Sequence, residues 1–137
     1  MNGNNREDQA RNKRVFVINE SVEVLRLIRD LLQSEGYRVT MATVESLNWE
    51  DIPDLHPDLV MIDLVPGHQK GWDLLERLRQ EVGTQRIPII ISSTDPRLVG
   101  RAQQYAERYG GERYIAKPFE IDELFQDVDD LIGTAER

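Results

Sequence analysis

The sequence predicts a doubly wound α/β domain, a five-stranded parallel sheet with helices packed on both faces. Two observations carry that prediction. Short apolar, β-branched runs alternate five times with longer stretches of helical period, the pattern that right-handed strand–helix–strand crossovers leave in a chain. The two middle runs, Leu59–Ile62 and Ile89–Ile91, are apolar without interruption, as central strands covered on both faces must be.

The elements follow in order. Residues 1–13 are polar, Asn-rich and without an apolar period, which predicts a disordered N-terminal tail. The domain is expected over 14–133, with a short tail at 134–137. Val15–Ile18 is the first strand candidate. Ser21 is the expected N-cap of a helix whose inner stripe is Val24, Leu27, Ile28 and Leu31, widened by Leu25 and Leu32. Gly36 stands where a left-handed terminator belongs. Arg38–Ala42 is a second, weaker strand. A helix is expected over Val44–Ile52, with Leu47, Trp49 and Ile52 inward and Pro53 stopping it. After Leu59–Ile62, Pro66-Gly67 marks a turn, and Trp72–Val82 predicts a helix burying Leu74, Leu75 and Leu78. Pro88 precedes the strand Ile89–Ile91. Asp95-Pro96 opens a helix as cap and first residue; Leu98, Val99, Ala102, Tyr105, Ala106 and Tyr109 supply its stripe, and Gly110-Gly111 ends it. Tyr114–Ala116 is the last strand, and Ile121, Leu124, Phe125, Val128, Leu131 and Ile132 mark the last helix.

Composition narrows the class. At 137 residues, 39% hydrophobic and 31% charged, the chain suits one globular domain large enough to bury a core unaided. No apolar run reaches the length of a membrane span, and no signal-peptide pattern opens the sequence. With no cysteine, disulfides and thiolate metal sites are excluded, which agrees with the cytoplasmic location we expect. A net charge of −8 argues against direct nucleic-acid binding. The basic cluster Arg6, Arg11, Lys13 and Arg14 reads as a solvated tail. His56 and His68 have no partners at metal-ligand spacing and are read as solvated.

Residues that carry chemistry gather at the carboxyl ends of the strands. Val15–Ile18 runs into Asn19-Glu20, Leu59–Ile62 into Asp63, Ile89–Ile91 into Ser92-Ser93-Thr94, and Tyr114–Ala116 into Lys117-Pro118. Open parallel sheets bind ligands outside that edge, where the strand order reverses. A metal ligand, a nucleophile, a hydroxyl and a cation would converge there.

Four motifs in this order, HPDLVMIDL (His56–Leu64), Gly71 followed by a helix, PIIISST (Pro88–Thr94) and RYIAKPF (Arg113–Phe119), resemble the receiver domains of bacterial two-component response regulators. The resemblance covers about Arg14 to Ile132. It implies a CheY-like, flavodoxin-type sheet of order 2-1-3-4-5. It implies Asp63 as phosphoacceptor, a carboxylate attacking phosphorus to give an acyl phosphate. Lys117 would pair with the phosphoryl oxygens, and Pro118 would follow a cis bond. Ser93, counted from Pro88 and preferred over Ser92, would be the switch hydroxyl, with the backbone of Thr94 contacting the phosphoryl group. Tyr114 matches the aromatic whose rotamer follows phosphorylation. Mg²⁺ would be held by Glu20, Asp63, the Val65 carbonyl, and Asn19 through water. The implied partners are a sensor histidine kinase or phosphotransfer protein, a downstream effector, and a second copy through the surface of the last two helices.

The sequence departs from the family at the metal site. Receivers usually carry two acidic residues after the first strand, where this chain has Asn19-Glu20. With one negative charge fewer, we expect Mg²⁺ affinity weaker by roughly one to two orders of magnitude. Pro66 comes one residue early after the acceptor, and Thr94 stands where the family usually keeps a small residue, so that its side chain could crowd the phosphoryl group and slow both attack by water and entry of a donor. A competing reading is a phosphorylation-independent interaction module of the same fold. A flavin carrier is disfavoured, because Asn19–Glu23 would repel the phosphate that such proteins hold after the first strand. No P-loop is present.

Overall fold

The computed structural model describes residues 13–117 and 120–133. The expected tails at 1–12 and 134–137, and the Pro118 expected after a cis bond, lie outside the described residues. Five strands, β1 (Arg14–Ile18), β2 (Arg38–Ala42), β3 (Leu59–Asp63), β4 (Ile89–Ser93) and β5 (Arg113–Ala116), form one parallel sheet in the order β2-β1-β3-β4-β5. The helices are α1 (Val22–Ser34), α2 (Asp51–Leu55), α3 (Gln69–Gln80), α4 (Pro96–Gln104), α5 (Ala106–Tyr109) and α6 (Ile121–Ile132).

Strand alternation sorts the core into two layers. Leu59, Met61 and Ile90 face one side and pack with Leu25, Ile28 and Leu32 of α1 and Leu124 and Val128 of α6. Val60, Ile62, Ile89 and Ile91 face the other side and meet Trp72, Leu75 and Leu78 of α3, Ala102 of α4 and Tyr109 of α5. The uninterrupted apolar runs of β3 and β4 are thus explained by cover on both sides. Edge strand β2 is only partly buried, which is why its pattern is weak.

The helix boundaries hold most of the differences from expectation. Ser21 caps α1, its Oγ accepting from Val24 N at 3.2 Å. Its buried stripe is Leu25, Ile28 and Leu32, whereas Leu27 is exposed. The stripe is therefore rotated from the expected one. The helix expected over Val44–Ile52 is instead a series of turns followed by α2 at Asp51–Leu55. Pro53 does not stop it but occupies its third residue, where a helix has no use for the missing N–H. Leu47 and Trp49 still pack on the core, and Ile52 is fully buried. Helix α3 starts at Gln69, three residues before expectation, so Gly71 lies inside its first turn. There a Cβ would lie 3.1 Å from Leu64 Cδ2. The single helix expected through Tyr109 is broken at Tyr105, whose backbone (φ −115°, ψ 43°) leaves the helical region, giving α4 and α5. In α6 the expected apolar face holds at Leu124 and Val128, while Ile121 is exposed.

Strand β5 is tied to the turn before it. Tyr114 folds back so that its hydroxyl donates to Gly111 O at 2.7 Å. A Cβ on Gly111 would lie 2.7 Å from Ile91 Cδ1 and 2.8 Å from the Tyr114 ring, so only glycine admits this approach.

Two stability predictions follow from this packing. Leu75→Ala, at a fully buried position, is expected to cost about 2–5 kcal/mol in chemical denaturation. Burial, and next the charge of Glu112, push the Tyr114 hydroxyl above the usual tyrosine range. The neutral phenol is therefore favoured by the fold, and its contribution is complete below about pH 10 and lost as pH rises through the raised value. Denaturation midpoints measured from pH 9 upward should fall more steeply for the wild type than for Tyr114→Phe.

Candidate phosphoryl site at the sheet edge

The order β2-β1-β3 on one side and β3-β4-β5 on the other makes the gap between β1 and β3 the point where the winding reverses, and open parallel sheets bind ligands outside the carboxyl edge at such a point. Register brings the candidate residues to it. Ile18 pairs with Ile62, Asp63 with Ser92, and Ser93 with Ala116. Asn19, Asp63, Ser92, Ser93 and Lys117 therefore end four neighbouring strands at nearly one level.

Two of the expected residues meet directly. Lys117 Nζ lies 2.9 Å from Asp63 Oδ1, with side-chain exposures of only 16% and 11%, so this is a shielded ion pair and not a solvated surface contact. Lys117 is held at that height by its own N–H, which donates to Ser93 O at 2.9 Å. Ser92 Oγ also donates to Asp63 Oδ1, at 3.2 Å. Oδ2 of Asp63 has no partner among the described residues.

Ser93 makes contacts of its own. Its buried hydroxyl donates to Leu64 O at 2.8 Å and accepts from Asp95 N at 3.1 Å, without touching Asp63. The hydroxyl beside the acceptor is that of Ser92. The signal that could have found it is register: along parallel strands, paired residues share a sheet face, and Ser92 is paired with Asp63.

The expected metal ligands each carry an internal partner. Asn19, almost fully buried, accepts at Oδ1 from Ser21 N at 2.9 Å, an Asx turn that leads into the α1 cap. Glu20 Oε1 lies 2.9 Å from His68 Nδ1. Val65 O accepts from His68 N at 3.1 Å. His68 is thus not a bystander: through its ring and its backbone it touches two of the four residues. A contact spanning 48 residues of sequence leaves no local pattern to read. His56 remains exposed and closes α2 in a left-handed conformation (φ 48°). Thr94 is exposed, with its N–H unpartnered among the described residues. Tyr114 is turned inward, packed beside the β4 layer.

Comparison with known proteins agrees with this architecture. The chain matches the response regulator receiver domain family over residues 15–129. It is 26% identical over 125 residues to the transcriptional regulator RpaA of Synechocystis, covering 90% of this chain and 51% of RpaA. It is equally similar to the polar-differentiation response regulator DivK of Brucella ovis, covering 90% of this chain and 98% of DivK. With NisR of Lactococcus lactis at 52%, the chain spans about half the length of the first two curated relatives, though nearly all of DivK. Chemotaxis protein CheY4 of Vibrio cholerae superposes with a TM-score of 0.74 at 18% identity, covering 87% of this chain and 98% of that one. TrrA of Thermotoga maritima, solved with Mg²⁺ and beryllofluoride, superposes at 0.64 with 25% identity over 87% of this chain and 98% of TrrA. A parallel sheet of order 2-1-3-4-5, ending in an acid and a lysine that meet, together with a family match over most of the chain, makes this protein a member of the response regulator receiver domains of two-component phosphorelay signalling.

Proposed function

We propose that Asp63 accepts a phosphoryl group from a sensor histidine kinase or phosphotransfer protein, and that a downstream effector reads the result. The observation that carries this reading is the shielded Lys117–Asp63 pair at 2.9 Å. Oδ2 is the oxygen free to attack phosphorus. As its bond to phosphorus forms, the bond to the donor breaks and the leaving group keeps the electron pair. Little covalent work falls to the protein, so catalysis is positioning and neutralisation of charge on the transferred group. Lys117 supplies one positive charge, and the exposed Thr94 N–H supplies a donor at the rim. In this sense the protein catalyses only its own phosphorylation and dephosphorylation.

Ser93 is the switch hydroxyl in this reading. Its one hydrogen is committed to Leu64 O. Reaching a phosphoryl group on Asp63 requires breaking that bond, which is worth about 1 kcal/mol net and holds the start of the β3–α3 loop. The exchange couples phosphorylation to movement of that loop and of the neighbouring Tyr114 surface.

The donor set suits Mg²⁺, which would add positive charge where the transferred group carries negative charge. All the expected ligand atoms are hard oxygens; Glu20 keeps one carboxylate oxygen without a described partner, and Asp63 would offer Oδ1 to the ion while Oδ2 attacks. Among the described residues no three acidic or histidine side chains cluster. The ion would therefore rest on two carboxylates and the Val65 carbonyl, with Asn19 reached through water and further waters completing its shell. His68 competes for Glu20 and for Val65 O, a second reason for weak binding beyond the missing charge.

Among the described residues no helix is long and apolar enough to cross a membrane. We assign a cytoplasmic location, with pairing of two copies through the α4–β5–α6 surface, as parts of the same proposal.

Two measurements test it. Incubation with acetyl phosphate and Mg²⁺ should add one phosphoryl mass to the intact protein and none to Asp63→Ala; an unmodified wild type with its fold intact would refute the assignment. Asn19→Asp keeps the acceptor for Ser21 N and restores the second acid. Calorimetric titration should show Mg²⁺ affinity rising by roughly tenfold or more, and an unchanged affinity would remove the charge argument.

A further inference from the structure

We infer that Ser92 is a positioning residue for Asp63: its hydroxyl, with Lys117, pins Oδ1 and thereby presents Oδ2 as the attacking oxygen. The inference rests on the reading of Asp63 as phosphoacceptor. Parallel pairing puts Ser92 opposite Asp63, on the sheet face that carries Met61 and Ile90. Ser93 belongs to the opposite face, with Ile89 and Ile91. Ser92 is 1% exposed, so water does not compete for its hydroxyl, and its bond to Asp63 Oδ1 at 3.2 Å is the contact available to it.

The geometry at Oδ1 explains the consequence. Lys117 Nζ at 2.9 Å and Ser92 Oγ at 3.2 Å both donate to the same oxygen. Lys117 arrives from β5 and Ser92 from β4, so two donors on separate strands resist rotation of the carboxylate. With Lys117 alone, either oxygen can take the ammonium, and the two exchange by rotation about a soft, nearly two-fold torsion. Adding the serine distinguishes them. An attacking atom already aimed raises the rate by removing a search from the barrier. The step itself is ordinary: Oδ2 bonds to phosphorus, the phosphorus–oxygen bond to the acetyl group breaks with its electron pair, and acetate leaves.

The test uses the full chain with acetyl phosphate and Mg²⁺, following acyl phosphate by intact mass. Ser92→Ala should slow phosphorylation roughly five- to tenfold, the size expected for one long hydrogen bond. Rates are compared at saturating Mg²⁺, so that a change in metal occupancy does not enter, and the melting temperature should fall by no more than a few degrees. Ser92→Thr, which restores the hydroxyl, should return the rate to within about twofold of wild type, on the same scale. A Ser92→Ala rate equal to wild type overturns the inference, as does equal slowing in Ser92→Ala and Ser92→Thr, which would mark a packing effect. If the wild type takes no phosphoryl group, the functional reading itself fails. The carboxyl ¹³C signal of Asp63 still decides the positioning claim: a shift in Ser92→Ala, reversed in Ser92→Thr, upholds it, and an unmoved signal overturns it.

Discussion

The ion pair between Lys117 and Asp63 is the contact on which the rest of the edge depends. Two opposite charges with most of their surface removed from water are costly to assemble, and attraction repays that cost only when geometry and further hydrogen bonds are good. Here the geometry is imposed by the sheet. Ladder pairing sets the heights of β3, β4 and β5, and the Lys117 N–H on Ser93 O fixes the last residue after β5. The Ser92 hydroxyl supplies the further bond to Asp63. A stable fold alone does not need such a pair, since apolar residues of similar volume would serve as well or better. Its presence at the carboxyl edge of the sheet is therefore an argument for chemistry.

That dependence also shows why the two serines diverge. Adjacent strand residues point to opposite faces, so only one of them can share a face with Asp63. Ser92 lies on the acceptor's side, and Ser93 lies on the side that packs against α3 and α4. Ser93 can become relevant to a phosphoryl group only because it stands at the strand end, where a side chain can swing over the edge. Its present bonds to Leu64 O and Asp95 N join the start of the β3–α3 loop to the cap of α4. A group on Asp63 that attracted this hydroxyl would loosen both elements together, which is a two-state device in the sense that packed structures allow.

How much of this could be read from the sequence depended on the range of the interaction involved. Apolar runs such as Leu59–Ile62 report burial on both faces and were legible, as were the caps Ser21 and Asp95, whose bonds reach only two or three residues. Leu27 was assigned inward because hydrophobic residues surround it in sequence, yet only the rotation of α1 on the sheet decides which of them is covered. Pro53 was read as a stop, although a proline in the first turn of a helix is compatible with it. The break at Tyr105 left the apolar period intact and so gave no signal. At the site, residue types at strand ends were visible. The partners that hold them were not: Ser92 requires the β3–β4 register, and His68 reaches Glu20 across 48 residues.

The Glu20–His68 contact bears on how this edge would respond to a cation. Every expected ligand already has an internal partner: Asn19 accepts from Ser21, Glu20 meets the His68 ring, Val65 accepts from the His68 N–H, and Asp63 accepts from Lys117 and Ser92. The Glu20–His68 contact is inexpensive to break, because both residues keep a third or more of their side-chain surface in solvent, whereas the Asn19 bond is almost fully buried. An arriving Mg²⁺ would exchange the His68 contacts of Glu20 and Val65 for its own, and would disturb the His68 turn in doing so. Where a second acid takes the place of Asn19, attraction for the ion is larger while the bonds to be exchanged stay similar. If Asp63 is the phosphoacceptor proposed above, the Asn19-Glu20 pair is where a change of one charge would act most directly on metal binding and, through it, on phosphorylation.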